Sequence, residues 1–315
     1  MVSTVPHEEA VTMTAPAIAR HRRRRRRLAL TVALALLVVP LDAQAPAPDA
    51  RAAAAKKAPP IKRLADGKPD IQGLFMGDAG GANYGLERRT GDTLTPPARG
   101  VVVDPPDGKL PMQPWAVEEV ARRARPERGY DDPTAHCLVA GVPRSMYVPS
   151  PMHILQPPGY VVILHERMSW RIIPIGGTHT LPDHVRLWQG DSIGRWEGDT
   201  LVVESKNFNG KAWLNEVGEM VSHAQTVVER FQPIDGNTIE YRATVTDPVV
   251  YTRPWTIGFR LNRQEGEMLE VACLEDDQDL PHLKDVKDEF FNKKQGGASA
   301  PPEAGRGFSP AVTQP

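Results

Sequence analysis

Apolar residues recur at every second position through much of the central chain, a period that restricts those segments to half-buried β-strands. Residues 237–246 put Ile239, Tyr241, Ala243 and Val245 on one face and Glu240, Arg242, Thr244 and Thr246 on the other. Trp255, Ile257, Phe259 and Leu261 alternate in the same way with Thr256, Gly258 and Arg260. Residues 160–165, 200–205 and 268–273 also read as strands. Turn chemistry separates these runs: Pro157-Pro158-Gly159, Gly176-Gly177, Gly198-Asp199, Asp235-Gly236-Asn237 and Glu265-Gly266. Strands joined by short turns pair as antiparallel neighbours. A meander of this length has to protect its edges, so the fold class expected is mainly β, an antiparallel barrel or a two-sheet sandwich.

The first 45 residues have a different character. Arg20 and the run Arg22 to Arg27 precede an apolar stretch over residues 28–41, which ends at Ala43-Gln44-Ala45. A basic region, a short apolar region and small residues at a cleavage site make up a secretory signal peptide. The apolar stretch falls short of the ~20 residues that span a bilayer, although an uncleaved anchor is the alternative reading. Arg25 and Arg26 also form a twin-arginine pair inside the longer basic run, so the export route stays open. The expected location is periplasmic or extracellular, with no stable membrane span after cleavage.

Removing residues 1–45 takes away seven Arg and three acids, leaving 31 basic and 36 acidic residues and a net charge near −5. A mildly acidic surface excludes a nucleic-acid partner of the usual kind, which requires a basic stripe. Residues 46–60 read as a flexible Ala/Pro/Lys linker and residues 296–315 as a disordered tail, with a single β-rich domain over 61–295. One short helix is expected from Pro114 to about Arg125, with Pro114 at its first position and Trp115, Val117, Val120, Ala121 and Ala124 at helical spacing. The two cysteines, Cys137 and Cys273, form a disulfide on the most direct reading for an oxidising compartment. Two buried free thiols or a soft metal site are the alternatives.

The most specific string runs from Gly190 to Val203, Gly-Asp-Ser-Ile-Gly-Arg-Trp-Glu-Gly-Asp-Thr-Leu-Val-Val. Around it, in order, lie Gly67-Lys68-Pro69-Asp70-Ile71-Gln72-Gly73, Gln113-Pro114-Trp115, Asp132-Pro133 with Cys137, and Gly141-Val142-Pro143-Arg144. Val228-Glu229-Arg230-Phe231, Asp247-Pro248, Tyr251-Thr252, Pro254-Trp255-Thr256 and Cys273-Leu274-Glu275 complete the set. Together these segments resemble a widespread, uncharacterised family of exported bacterial proteins. The resemblance covers roughly residues 60–290 and implies export and a β-rich fold, with no established activity to carry over. The family usually has a His three residues ahead of the Glu of Glu-Arg-Phe; here that position is Thr226, and a His stands at His223. The meander, together with Asp70-Ile71-Gln72-Gly73-Leu74-Phe75 at the first strand, also resembles the lipocalin-like barrels.

Glu229 shares a strand face with Val227 and Phe231. If that face points inward, the carboxylate sits in a low-dielectric interior, where its pKa rises and it can exchange protons with a substrate. The opposite register leaves it outside. A third reading pairs it with an inward Arg such as Arg171 or Arg195 as structure. His179 and His223 are the candidate proton partners for Glu229, with His184 a further one. His179, Asp183 and His184 form a compact cluster that offers weak candidates for a metal, at a spacing that matches no standard signature. Ser192 lies in a formal Gly-x-Ser-x-Gly frame, but a strand follows where the hydrolase elbow needs a helix. Arg144 and Arg195 suit an anionic ligand group, and Trp196, Tyr241 and Trp255 suit the apolar wall of a barrel cavity.

The expectation is therefore an exported, soluble protein that binds a small, partly apolar molecule in a barrel interior. The alternatives are a periplasmic enzyme using Glu229 with a His, and a structural or surface-interaction protein. No cofactor is expected, and no protein partner is indicated.

Overall fold

The computed structural model describes residues 58–91, 96–125, 131–167 and 169–273. The expected signal peptide, most of the linker and the expected tail lie outside the described residues. The strands are β1 (Gly73–Asp78), β2 (Val102–Asp104), β3 (Met152–Leu155), β4 (Tyr160–His165), β5 (Ser169–Pro174), β6 (Asp191–Glu197), β7 (Thr200–Lys206), β8 (Thr226–Pro233), β9 (Thr238–Thr246) and β10 (Trp255–Arg263). One helix, α1 (Pro114–Arg123), lies between β2 and β3. No helix among the described residues is long and apolar enough to cross a membrane.

Nine strands follow one path, β5-β4-β3-β1-β10-β9-β8-β7-β6, and every hydrogen-bonded pair along it is antiparallel. Apart from β2, neighbours in the sheet are neighbours in the chain, and β1 joins the last strand, β10. This is an up-and-down meander nearly closed into a barrel. An odd number of strands dictates the remaining seam: eight antiparallel steps leave the two end strands running the same way. β5 and β6 meet there through a parallel bridge between Ile175 and Gly194, with Gly176 N–H donating to the Gly194 carbonyl at 2.8 Å. β2 lies off the path and extends the wall, pairing with Thr256 and Ile257 of β10 where β1 has ended.

On β9 the period-two pattern places the core as expected, and on β8 the chain takes the inward register of the two that were open. On β8 the buried residues are Val227, Glu229, Phe231 and Pro233; on β9 they are Ile239, Tyr241, Ala243 and Val245. Side chains fill the interior. Phe231, Tyr241, Phe259 and Tyr147 form a run of rings with successive centroids 5.1, 4.9 and 6.1 Å apart. Trp170 and Ile172 of β5 stand outward, 65% and 59% exposed, so Trp170 contributes nothing to an interior wall.

One local expectation is corrected, and the expected helix is present with little of it buried. Residues 268–273 form no strand, because β10 is already paired on both sides by β9 and by β1 and β2. Instead they run as an exposed strap, anchored where Leu269 N–H donates to Glu166 Oε1 at 2.9 Å and where Cys273 bonds Cys137. Helix α1 buries only Ala116, while Trp115 and Val117 are about half exposed. Its charged face is held by Glu119, which accepts from both Arg122 and Arg123, and Arg123 also covers the Trp213 ring at 5.0 Å.

The two barrel ends differ. One end carries the short turns β3–β4, β6–β7 and β8–β9. The other receives the long connections 79–151, 207–225 and 247–254 together with the β4–β5 turn. The long connections cap that end. Residues on irregular connections can be aimed by the rigid strands beneath them, which makes the capped end the place to look for a site.

Candidate functional site

Capping a barrel with irregular chain buries backbone and polar groups that have left water, so each needs a partner. Arg144 sits in a 3₁₀ turn (Arg144–Met146) and is 1% exposed. Its guanidinium donates twice to Asp132, at 2.8 and 2.7 Å, and once to Asn83 Oδ1 at 2.9 Å. Asp132 is placed by its own local chemistry: it caps the turn Pro133–His136 by accepting from Thr134 N–H. Asn83 passes the network on, donating to Glu216 Oε1 at 2.6 Å. Elsewhere in the cap, Tyr147 O–H donates to the Leu214 carbonyl and Tyr251 O–H to the Met220 carbonyl.

Beside this network lies a pocket of about 140 Å³. Arg144, Ser145 and Ser169 line it, as do His165 at the end of β4, Arg167 in the β4–β5 turn and Glu216. Its apolar wall includes Leu138, Val148, Pro149 and Val271, and the Cys137–Cys273 disulfide forms part of it. Burial, reinforced by Arg171, pushes the His165 pKa down to about 3, so the imidazole is neutral at pH 7. A neutral imidazole offers one donor and one acceptor. Partial desolvation also raises the Glu216 carboxyl above its ordinary range, an effect opposed by Arg144 and Arg167.

Inside the barrel a second polar cluster spans several strands. Arg171 of β5 donates to Glu229 Oε1 at 2.9 Å, and its other terminal nitrogen bonds Oε2 as well as the Ser192 and Ser205 hydroxyls. Tyr241 O–H donates to Glu229 Oε1 at 2.9 Å. Desolvation works against the Arg171 charge, but the Glu229 carboxylate outweighs it and the guanidinium pKa is raised. Glu229 is thus fully buried and held as one half of an ion pair, the third of the readings its strand allowed.

The predicted site residues do not converge on one cavity. His223 is exposed and shows only a backbone contact, its carbonyl accepting from Arg186. The His179 imidazole contacts Asp191 Oδ2 at 3.0 Å. Neither imidazole bonds Glu229, whose carboxylate is occupied by Arg171 and Tyr241, so the Glu–His pair expected for acid/base chemistry is not assembled. Asp183 is exposed near Lys206 and His184 is exposed. Among the described residues no group of three or more His, Cys, Asp or Glu could hold a metal ion, because His179 turns to Asp191 and not toward Asp183 and His184.

Arg195 points outward to Glu197 and Glu204. Trp196 packs partly buried against the core, and Tyr241 and Trp255 are core residues with no exposed surface. An open cavity lined by these residues is therefore corrected to a packed interior. Of the expected site residues, Arg144 and the two bonded cysteines, Cys137 and Cys273, lie at the pocket.

Asn83, His165, Arg167 and Glu216 also line the pocket and are absent from the residues expected there. His165 was visible only as the end of a strand. Nothing local in the chain marks the other three, which come from connections separated by up to 133 residues. Comparison with protein-family models, curated proteins and solved structures finds no match.

Proposed function

We propose that the protein is exported and binds a small, partly apolar molecule, and that the binding site is the pocket at the capped end of the barrel. The observation that carries this reading is the pocket itself, about 140 Å³ with an apolar wall and a polar floor containing the neutral His165. Small-molecule sites combine an apolar lining with a few fixed polar groups. The volume is close to that of an engineered cavity of ~150 Å³ that takes up benzene. An occupant of about one ring or one branched aliphatic chain fits it. Export rests on the N-terminal signal pattern, and the Cys137–Cys273 bridge suits an oxidising compartment.

Titrating the mature chain with toluene and indole, followed by methyl NMR, tests the site. Saturable shifts are expected at Val148 and Val271, with Ile257 and Leu261 in the barrel interior unmoved. Shifts confined to the interior, or none up to the solubility limit, would remove the proposal. N-terminal sequencing of the chain recovered from outside the cytoplasm is expected to begin at Pro46, and a retained residue 1 would count against export by cleavage.

A further inference from the structure

The rim of the pocket carries one cation and one anion that the protein does not pair with each other. Arg167 is exposed in the β4–β5 turn and forms no hydrogen bond or ion pair among the described residues. Glu216 is exposed on the 207–225 connection, and its side-chain partner is the Asn83 amide on Oε1, which leaves Oε2 open. No nitrogen of Arg167 comes within ion-pair distance of Glu216 among the described residues, yet both line the pocket, and the Arg167 charge, after that of Arg144, opposes the desolvation that raises the Glu216 carboxyl. The charges deeper in the site are already matched, since Asp132 neutralises Arg144.

This arrangement discriminates among ligand classes. An anion reaching Arg167 faces Glu216 as well, and a cation reaching Glu216 faces Arg167, so either loses part of what it gains. A neutral molecule leaves both charges unused. A molecule carrying an ammonium and a carboxylate on one carbon meets each with its opposite. Its apolar substituent then enters beside Leu138, Val148 and Val271. Resting on the pocket assignment above, we infer that the occupant is a small zwitterion, an α-amino acid with a short branched apolar side chain. The ammonium lies at Glu216, the carboxylate at Arg167, and the side chain in the pocket.

Isothermal titration of the mature chain at pH 7 and low salt decides this with three probes of matched carbon skeleton: L-leucine, 4-methylpentanoate, which lacks the ammonium, and isopentylamine, which lacks the carboxylate. Leucine is expected to bind at least ~10-fold more tightly than either, the scale of one charge-assisted hydrogen bond. Arg167→Gln is expected to erase the advantage over isopentylamine, and Glu216→Gln the advantage over 4-methylpentanoate. Both residues are at the surface, and an unchanged melting temperature establishes that the variants fold. If either single-charge analogue matches leucine, the zwitterion inference fails and the pocket assignment stands. The zwitterion inference fails in the same way if toluene or indole binds at Val148 and Val271 while all three probes are silent. If none of the five compounds binds, both fail.

Discussion

At the scale of the residue, Glu229 shows what a β-barrel core demands of a carboxylate. Burying an ion costs several kcal/mol unless charges and donors replace its water, and Arg171 and Tyr241 supply them. Removing one partner leaves the other charge buried alone. Glu229→Gln and Arg171→Met are each expected to destabilise the fold by about 3–5 kcal/mol in urea denaturation. The double variant is expected to cost less than the sum, and additivity within about 0.5 kcal/mol would show that the pair is not coupled. Two buried groups also set opposed pH dependences. His165, lowered from 6.5 to about 3, gains its proton more readily when unfolded, so its contribution is complete above pH 6.5 and is lost as pH falls toward 3. Glu219, raised from 4.5 to about 7 chiefly by burial, holds its proton better when folded. Its contribution is complete below pH 4.5 and is lost as pH rises through 7. Between about pH 4.5 and 6.5 the two slopes oppose each other. Glu219→Gln is expected to make stability rise with pH across that window, and His165→Gln to make it fall. Parallel profiles for the two variants would refute both assignments.

At the scale of the element, the Gly190–Val203 string reads as a device for closing the barrel. Gly190 has φ +71°, and a Cβ there would approach the Lys206 carbonyl and the Phe208 ring to 2.8 Å. Ser192 bonds both Arg171 across the seam and Ser205 on β7. Gly194 carries the parallel bridge, and a Cβ on it would meet Ile175 Cδ1 at 2.8 Å and Ile173 Cγ2 at 3.1 Å. The Gly-x-Ser-x-Gly frame therefore follows from seam packing. Gly194→Val is expected to cost about 1–3 kcal/mol by overpacking, measured by thermal or urea denaturation, and a neutral result would mean that the seam is loose. Elements with an alternating face were legible because one local period decided their exposure. The strap at 268–273 was not, since its alternation is compatible with a strand and only the occupied flanks of β10 exclude it. The same holds for α1, whose exposed Trp115 and Val117 depend on what the cap presents to it.

At the scale of the whole molecule, the disulfide joins the cap to the strap beyond β10 across 136 residues. A loop that long constrains the unfolded chain strongly, and losing a native bridge typically costs about 2–5 kcal/mol. Replacing both cysteines by serine is expected to lower the melting temperature accordingly. It is also expected to speed amide exchange in residues 264–273, which would then depend on the Glu166 contact to Leu269 to hold the strap. Reductant is expected to reproduce the effect in the wild-type chain and to weaken binding of toluene or indole at the proposed site, because Val271 and Cys273 form part of the pocket wall. An unchanged melting temperature with both cysteines replaced would show that the bridge adds no stability.

What the amino-acid order determined by itself is the strand class, the apolar faces of β9 and β10, and the position of the helix. Each follows from a period or a turn signal within a few residues. Tertiary structure decided the rest. Which face of β8 points inward was decided by the closed sheet. The parallel seam is a consequence of the strand count. The pairing of Glu229 with Arg171, 58 residues away, and of Asn83 with Glu216, 133 residues away, depends on which strands and connections the closed sheet brings together. The pocket belongs to the cap because the barrel is too well filled to hold it. Its walls come from six separate stretches of chain, and no single stretch carries a signal that they will meet.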